Sequence, residues 1–132
     1  MSVPQTHKSI DERFSGKPID LISGKRSLVL LKTQDFMKTD DKGLIHGGFT
    51  FSVADYASMI AVDHTNVVLS KADVEFTAPV KVGDTLIAKA HVYRRIKNKY
   101  YVKVEVAKDK KIVLVGKFTC IILPYHVLDS KK

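Results

Sequence analysis

Residues 47–64, GGFTFSVADYASMIAVDH, set the tightest limit on what this chain can fold into. The stretch contains no proline, and only Ser52, Asp55 and Ser58 are clearly polar in its middle. Ala, Met and Ile recur at helical spacings, so a helix here would be apolar on nearly every side. Such a helix offers no face to water and must be enclosed. About 16 residues of it would form a rod about 24 Å long. The rest of a 132-residue chain has to wrap that rod.

The segments after it read as the wrapping. Residues 66–78 set Val68, Ser70, Ala72, Val74 and Phe76 against Leu69, Lys71, Asp73, Glu75 and Thr77. Residues 85–96 set Leu86, Ala88, Ala90 and Val92 against Ile87, Lys89, His91 and Tyr93, and residues 100–107 alternate in the same way. Period-two patterning of this kind marks half-buried strands. Residues 112–123 are more uniformly apolar, as a central strand would be, and residues 27–33 (SLVLLKT) form a further short β-like run. Lys97-Asn98-Lys99 and Lys108-Asp109-Lys110 carry turn chemistry, so the last three strands should be antiparallel neighbours. The expected architecture is α+β, with an antiparallel sheet of five to six strands whose apolar face wraps one long helix. Residues 1–20 are expected to form a partly ordered lead-in, 21–127 a single domain and 128–132 a charged tail.

A content of 45% hydrophobic and 27% charged residues suits one globular domain rather than a disordered chain. The apolar runs, such as 28–31 and 112–115, are far shorter than the ~20 residues a membrane helix needs. Residues 1–20 lack the apolar core of a signal peptide, so the expected compartment is the cytoplasm. The one cysteine, Cys120, excludes an intrachain disulfide and cysteine-based zinc motifs, and reads as a core thiol. No pair of histidines has metal-binding spacing, so no metal is expected. The net charge of +8 favours an anionic partner without choosing among nucleic acid, a membrane surface and a phosphorylated small molecule.

Three places could carry chemistry. His46, Gly47 and Gly48 open the long helix, where unpaired N–H groups and the positive end of the helix dipole gather. Two glycines there would let a ligand oxygen approach the backbone, as an oxyanion site requires, or would only make a tight turn. His46 itself either touches a ligand or braces that turn. Asp55 lies about two turns into an otherwise apolar helix, where a lone carboxylate is costly. It is either a reactive group or a structural one bonded to Ser52, Ser58 or nearby backbone. Arg94, Arg95, Lys97 and Lys99, beside Tyr93, Tyr100 and Tyr101, form a basic hairpin. That hairpin is a solvated tip, a contact for coenzyme A phosphates or a nucleic-acid contact.

The order and spacing of HGG, of Asp55 nine residues after His46 within FSVAD, and of FTAPVKVGD at 76–84 resembles the hotdog-fold acyl-CoA thioesterases. The resemblance covers roughly residues 25–123. It is strongest to the branch with the phenylacetate-degradation and 4-hydroxybenzoyl-CoA thioesterases. It implies the hotdog fold, a homodimer or dimer of dimers joined sheet edge to sheet edge, and an active site built from both chains. The Gly48 N–H would bind the thioester carbonyl oxygen, and Asp55 would act as nucleophile or general base. Coenzyme A would enter as part of the substrate, and no cofactor would be needed. Phe49 and Tyr56 become candidates for the acyl pocket. Relatives often carry Asn in the loop before HGG, where Asp40 is the nearest match here. A second carboxylate in the site would disfavour ionisation of the first. The alternatives are a hotdog module that binds acyl-CoA without turnover, and a hotdog dehydratase or hydratase.

Overall fold

In the computed structural model, which describes residues 3–129, the apolar segment is helix α2, Gly47–Val62. From Val53 to Val62 every residue except Asp55 is buried. The helix ends at Asp63, which takes a left-handed conformation (φ 56°) and returns its N–H to the Met59 carbonyl.

Six strands form one antiparallel sheet: β1 Lys17–Ile22, β2 Arg26–Lys32, β3 Val67–Phe76, β4 Thr85–Ile96, β5 Lys99–Lys108 and β6 Lys111–Ile122. Their order is β1-β2-β4-β5-β6-β3. This is the hotdog arrangement, a curled sheet around one central helix. The two alternating strands β4 and β5 bury Leu86, Ala88, Ala90, Val102, Val104 and Val106 against α2. β6 is an interior strand, as its uniform apolarity suggests, and it contributes Val113, Leu114, Phe118 and Cys120 to the core. The helix packs chiefly over β2, β4 and β5 and more thinly over β6 and β3.

The register of β3 departs from simple alternation. A bulge between Leu69 and Lys71 shifts its pairing with β6. Ala72 and Val74 keep the apolar face, while Ser70 and Phe76 are exposed. β3 and β1 are the two edges of the sheet.

The expected lead-in over residues 1–20 is corrected here. Residues 12–15 form a short helix, α1 (Glu12–Ser15), and the sheet already starts at Lys17. The segment ahead of β1 runs as a strap along the side of α2 that the sheet leaves open. Gln5 donates its backbone N–H to the Asp63 carboxylate (2.7 Å), the His7 ring faces Tyr56, and the Ser15 and Ser52 hydroxyls are bonded at 2.7 Å. The strap is hidden in the sequence because its anchors are single residues without period, and β1 pairs with β2 across a bulge at Ile19 that breaks the alternation. Of the expected C-terminal tail, residues 130–132 lie outside the described residues, and Val127–Asp129 form a 3-10 turn. Among the described residues no helix is long and apolar enough to cross a membrane.

Gly116 on β6 allows the sheet to coil tightly. A Cβ there would come within 2.5 Å of a Val74 methyl and 2.9 Å of the Asp73 carbonyl oxygen. Gly116→Ala should cost about 1–3 kcal/mol of stability through overpacking, read as a lower urea midpoint with an unchanged denaturant slope.

Candidate active site

The start of α2 is pinned by backbone on both sides. Ile45 N–H donates to the Val80 carbonyl (2.8 Å) and His46 N–H to the Met37 carbonyl (3.0 Å). Met37 and Val80 are themselves buried. The FTAPVKVGD segment is therefore the shelf on which the HGG turn rests, and Asp84 stiffens it by accepting from Lys81 N–H and the Lys108 ammonium. Hydrogen bonds from Lys81 and Lys108 hold the Asp84 carboxyl below its usual range against the opposing effect of burial.

His46 is the N-cap residue, but its side chain makes no capping bond. Within the helix the Phe49 N–H is the first to find an acceptor, the His46 carbonyl. Among the described residues the N–H groups of Gly47 and Gly48 meet no acceptor. Gly48 is exposed, with the His46 ring beside it, and a Cβ on Gly48 would lie 2.9 Å from ring atoms Cδ2 and Nε2. Two free N–H groups, the positive end of a four-turn helix and an adjacent imidazole form a site for an oxygen that gains negative charge.

Asp55 lies seven residues further, on the same face of α2 as Gly48. The structural alternative for this carboxylate is not realised. Ser58 donates to the backbone carbonyl of Asp55 (2.7 Å), and Ser52 is engaged with Ser15. Asp55 Oδ1 is buried with no hydrogen-bond partner among the described residues. Burial pushes its pKa from 3.8 to about 6. The buried Cys120 thiol is pushed up to about 12, chiefly by burial and further by the Asp55 charge. It is therefore a neutral thiol and no nucleophile.

The remaining candidates fall in different places. Asp40 is exposed, and its Oδ1 accepts from the N–H groups of Lys42 and Leu44 (3.0 and 3.2 Å), which gives it a turn-closing role. Phe49 lies at the helix start, edge-on to His46 (6.2 Å). Tyr56 is only 5% exposed and lies beneath the strap against His7, so it does not line an open pocket of this chain. Arg94, Arg95 and Lys97 lie at the opposite end of α2, where β4 turns into β5, and are not brought to Gly48 within one chain. Sequence reasoning missed Phe14 and Phe36. With Phe49 they form an aromatic cluster at the helix start, with ring centroids 5.3–6.3 Å apart. No local signal marks them, because α1 and the 3-10 turn Asp35–Met37 meet only through the fold. Among the described residues no group of His, Cys, Asp or Glu is placed to hold a metal ion.

The family model for the thioesterase superfamily matches residues 42–115, which takes in the HGG turn, α2, Asp55 and most of the sheet. The chain belongs to the thioesterase superfamily. Relatives of this thioesterase-superfamily chain carry varied names. It is 52% identical over 119 residues to a methylthioribose-1-phosphate isomerase of Aquifex aeolicus, covering 90% of this chain and 26% of that protein. It is 33% identical over 116 residues to the transcription factor FapR of Thermoanaerobacter sp., covering 88% of this chain and 58% of FapR. The chain thus spans about a quarter and somewhat over half of these relatives. An uncharacterized protein from Pyrococcus horikoshii superposes with a TM-score of 0.93 at 50% identity, covering 97% of this chain and all of that one. The E. coli PaaI protein from the phenylacetic acid degradation operon shares the fold, with a TM-score of 0.81 at 23% identity over 91% of this chain and 88% of its own.

The raised pKa of Asp55 has a consequence for stability. A carboxyl at 3.8 in the unfolded chain and about 6 in the folded one is disfavoured as an anion by folding. The cost is absent below pH 4, builds between about 4 and 6, and is complete above that. Asp55→Asn should therefore stabilise the chain at pH 8 by up to roughly 3 kcal/mol and by little at pH 4, measured by urea unfolding at the two pH values.

Proposed function

We propose that this thioesterase-superfamily domain hydrolyses an acyl-CoA to a free acid and coenzyme A. The observation that carries the reading is the pairing of two features on one helix face. Among the described residues the N–H groups of Gly47 and Gly48 meet no acceptor at the helix start, and Asp55 is a partly buried carboxylate whose Oδ1 has no hydrogen-bond partner and whose pKa is raised to about 6. Hydrolysis of a thioester needs polarisation of one carbonyl oxygen and delivery of one water. A backbone donor to the developing oxyanion contributes about 3–4 kcal/mol, and a positioned base about 10²–10⁴-fold.

The two features cannot act on one thioester from a single chain. Seven residues of helix separate them by about 10 Å along the axis, whereas a base must come within about 3 Å of the proton it takes, or reach it through one water. The reading is therefore a dimer in which Gly48 of one protomer faces Asp55 of the partner subunit. The free outer edge of β3 suits such a pairing, since two identical edges related by a two-fold axis join antiparallel. A dimer of dimers remains compatible with this contact.

In the direct form of the reaction, ionised Asp55 takes a proton from water as the water oxygen bonds to the carbonyl carbon. The oxyanion rests on the Gly48 N–H. Collapse then breaks the C–S bond, and the departing thiolate receives the proton from Asp55. In the covalent form the carboxylate attacks first, and water hydrolyses the resulting anhydride. Neither form uses a metal or other cofactor.

A second reading is an acyl-CoA-binding module without turnover, favoured by the 33% identity to a transcription factor over most of the chain. Release of free thiol from a panel of short, long, branched and aromatic acyl-CoAs separates the two. The hydrolase reading expects many turnovers per chain and at least a hundred-fold loss in Asp55→Asn. It also expects kcat/KM to rise with pH through a midpoint near 6, where Asp55 ionises. Saturable binding with no turnover would favour the module.

A further inference from the structure

Asp55 has two serines as neighbours on its helix, Ser52 three residues before it and Ser58 three residues after. Side chains three apart on a helix lie within reach of each other, and a serine hydroxyl is a ready donor to a carboxylate. Neither serine makes that bond. Ser58 donates to the Asp55 backbone carbonyl (2.7 Å), and the Ser52 hydroxyl is bonded to that of Ser15 at 2.7 Å. Among the described residues Asp55 Oδ1 is left without a partner.

The Ser15–Ser52 clasp joins the strap to the helix, and the chain around it is shaped for close approach. Ser15 ends α1 and is only 6% exposed. Gly16 follows with φ 95°, in a place where a Cβ would come within 2.7 Å of a Val29 methyl, 2.9 Å of the Leu30 carbonyl oxygen and 3.2 Å of a Val53 methyl. A glycine there lets the chain turn and press Ser15 onto α2. On the helix Ser52 stands between two faces, since successive residues are rotated by about 100°. The strap covers one face, where Phe14 stacks on Phe49 and His7 meets Tyr56. The other carries Gly48 and Asp55. A serine hydroxyl has one proton to give. Given to Ser15 Oγ, it is not available to the carboxylate.

The difference matters for a base. A hydroxyl bonded to a carboxylate favours the ionised form, lowers its pKa and occupies a lone pair. Without such a bond, burial raises the pKa of Asp55 to about 6. The elements packed on α2 leave that effect unopposed. β1, β2, β4 and β5 turn buried apolar side chains such as Leu21, Val29, Ala88 and Val104 to the core. The Cys120 thiol on β6 is coupled to the Asp55 charge but stays neutral, with a pKa of about 12. Lys71, Asp73 and Glu75 on β3 are exposed, as are Glu12 and Arg13 on α1, and the Glu12 charge acts on Tyr56.

We propose that Ser15 is a positioning residue for Asp55: it holds the Ser52 hydroxyl and so keeps the carboxylate free of a hydrogen bond from its own helix, with Oδ1 open to the water that is to be activated. The role in catalysis rests on the reading of Asp55 as the base. The withheld hydrogen bond does not. The strap thus serves the site as well as the core.

The test follows ionisation of the Asp55 carboxyl carbon by NMR of the isotopically labelled chain, in wild type, Ser15→Ala, Ser52→Ala and Ser15→Ala/Ser52→Ala. With Ser15 removed, Ser52 is free to donate to Asp55, and the midpoint should fall from near 6 by about one pH unit, the scale of one hydrogen bond to a charged group. In Ser52→Ala and in the double variant no hydroxyl remains to donate, and the midpoint should stay near 6. An unchanged midpoint in Ser15→Ala overturns the inference. So does an equal fall in Ser15→Ala and in the double variant, which is the mark of water entering beneath a loosened strap. If Ser15→Ala does not fold, Ser15→Cys takes its place with the same expectation, because a thiol is a weak acceptor. These titrations need no turnover. A wild type that hydrolyses no thioester therefore defeats the hydrolase reading, and the midpoints still decide whether the hydrogen bond is withheld. Where thioesters are hydrolysed, the midpoint of kcat/KM against pH should move down in Ser15→Ala alone, and a profile that stays in place overturns the role in positioning the base.

Discussion

Everything in this domain depends on enclosing a helix that has no face for water. The sheet covers one side of α2 with Val29, Leu31, Leu86, Ala88, Val102, Val104 and Val106, all essentially inaccessible. It cannot cover the other side, because a sheet of six strands curls only part of the way round. The strap ahead of β1 takes over there, with its ends fixed at Asp63 and Ser52. Asp55, the one carboxylate of α2, is the residue between Val53 and Val62 that this enclosure leaves incompletely buried.

The same enclosure gives Asp55 its chemical character. In water its carboxyl would be ionised well below neutrality and strongly solvated. On α2 it loses that solvation without gaining a hydrogen bond at Oδ1, and its pKa moves to about 6. A fold selected only for stability would replace such a group with an apolar one. With a pKa of about 6 the carboxyl changes charge near neutral pH, the property that the proposed base requires. At the HGG turn the N–H groups of Gly47 and Gly48 have no protein acceptor among the described residues, and Gly48 is open to solvent.

The two ends of the molecule differ in charge. Around the start of α2, Asp35, Asp40, Asp41 and Asp84 accompany Lys38, Lys42, Lys81 and Lys108, and several of them pair. At the far end Arg94, Arg95, Lys97 and Lys99 make no salt bridge among the described residues. These four side chains account for half of the net charge of +8. The even composition of the rest of the chain conceals that asymmetry from any global count.

The buried helix and the strands β3 to β6 were legible in the sequence, because burial imposes a period that β4 and β5 keep over most of their length, leaves α2 and β6 almost uniformly apolar, and marks β3 in spite of its bulge. The HGG turn, Asp55 and FTAPVKVGD were legible as well, because each requires a particular residue type at a fixed offset. Asp40 illustrates the limit, since a carboxylate in a polar loop reads the same whether it faces a ligand or, as here, closes its own turn. Tyr56 reads as an exposed pocket wall or a covered residue with equal ease, and only the strap decided that it is covered. The strap, the start of β1 at Lys17 and the cluster of Phe14, Phe36 and Phe49 carry no local signature. They exist through contacts between distant segments. The sequence alone determined what must be buried and which groups are chemically expensive. The tertiary structure decided which of those groups meet, because proximity across the chain is set by packing and register.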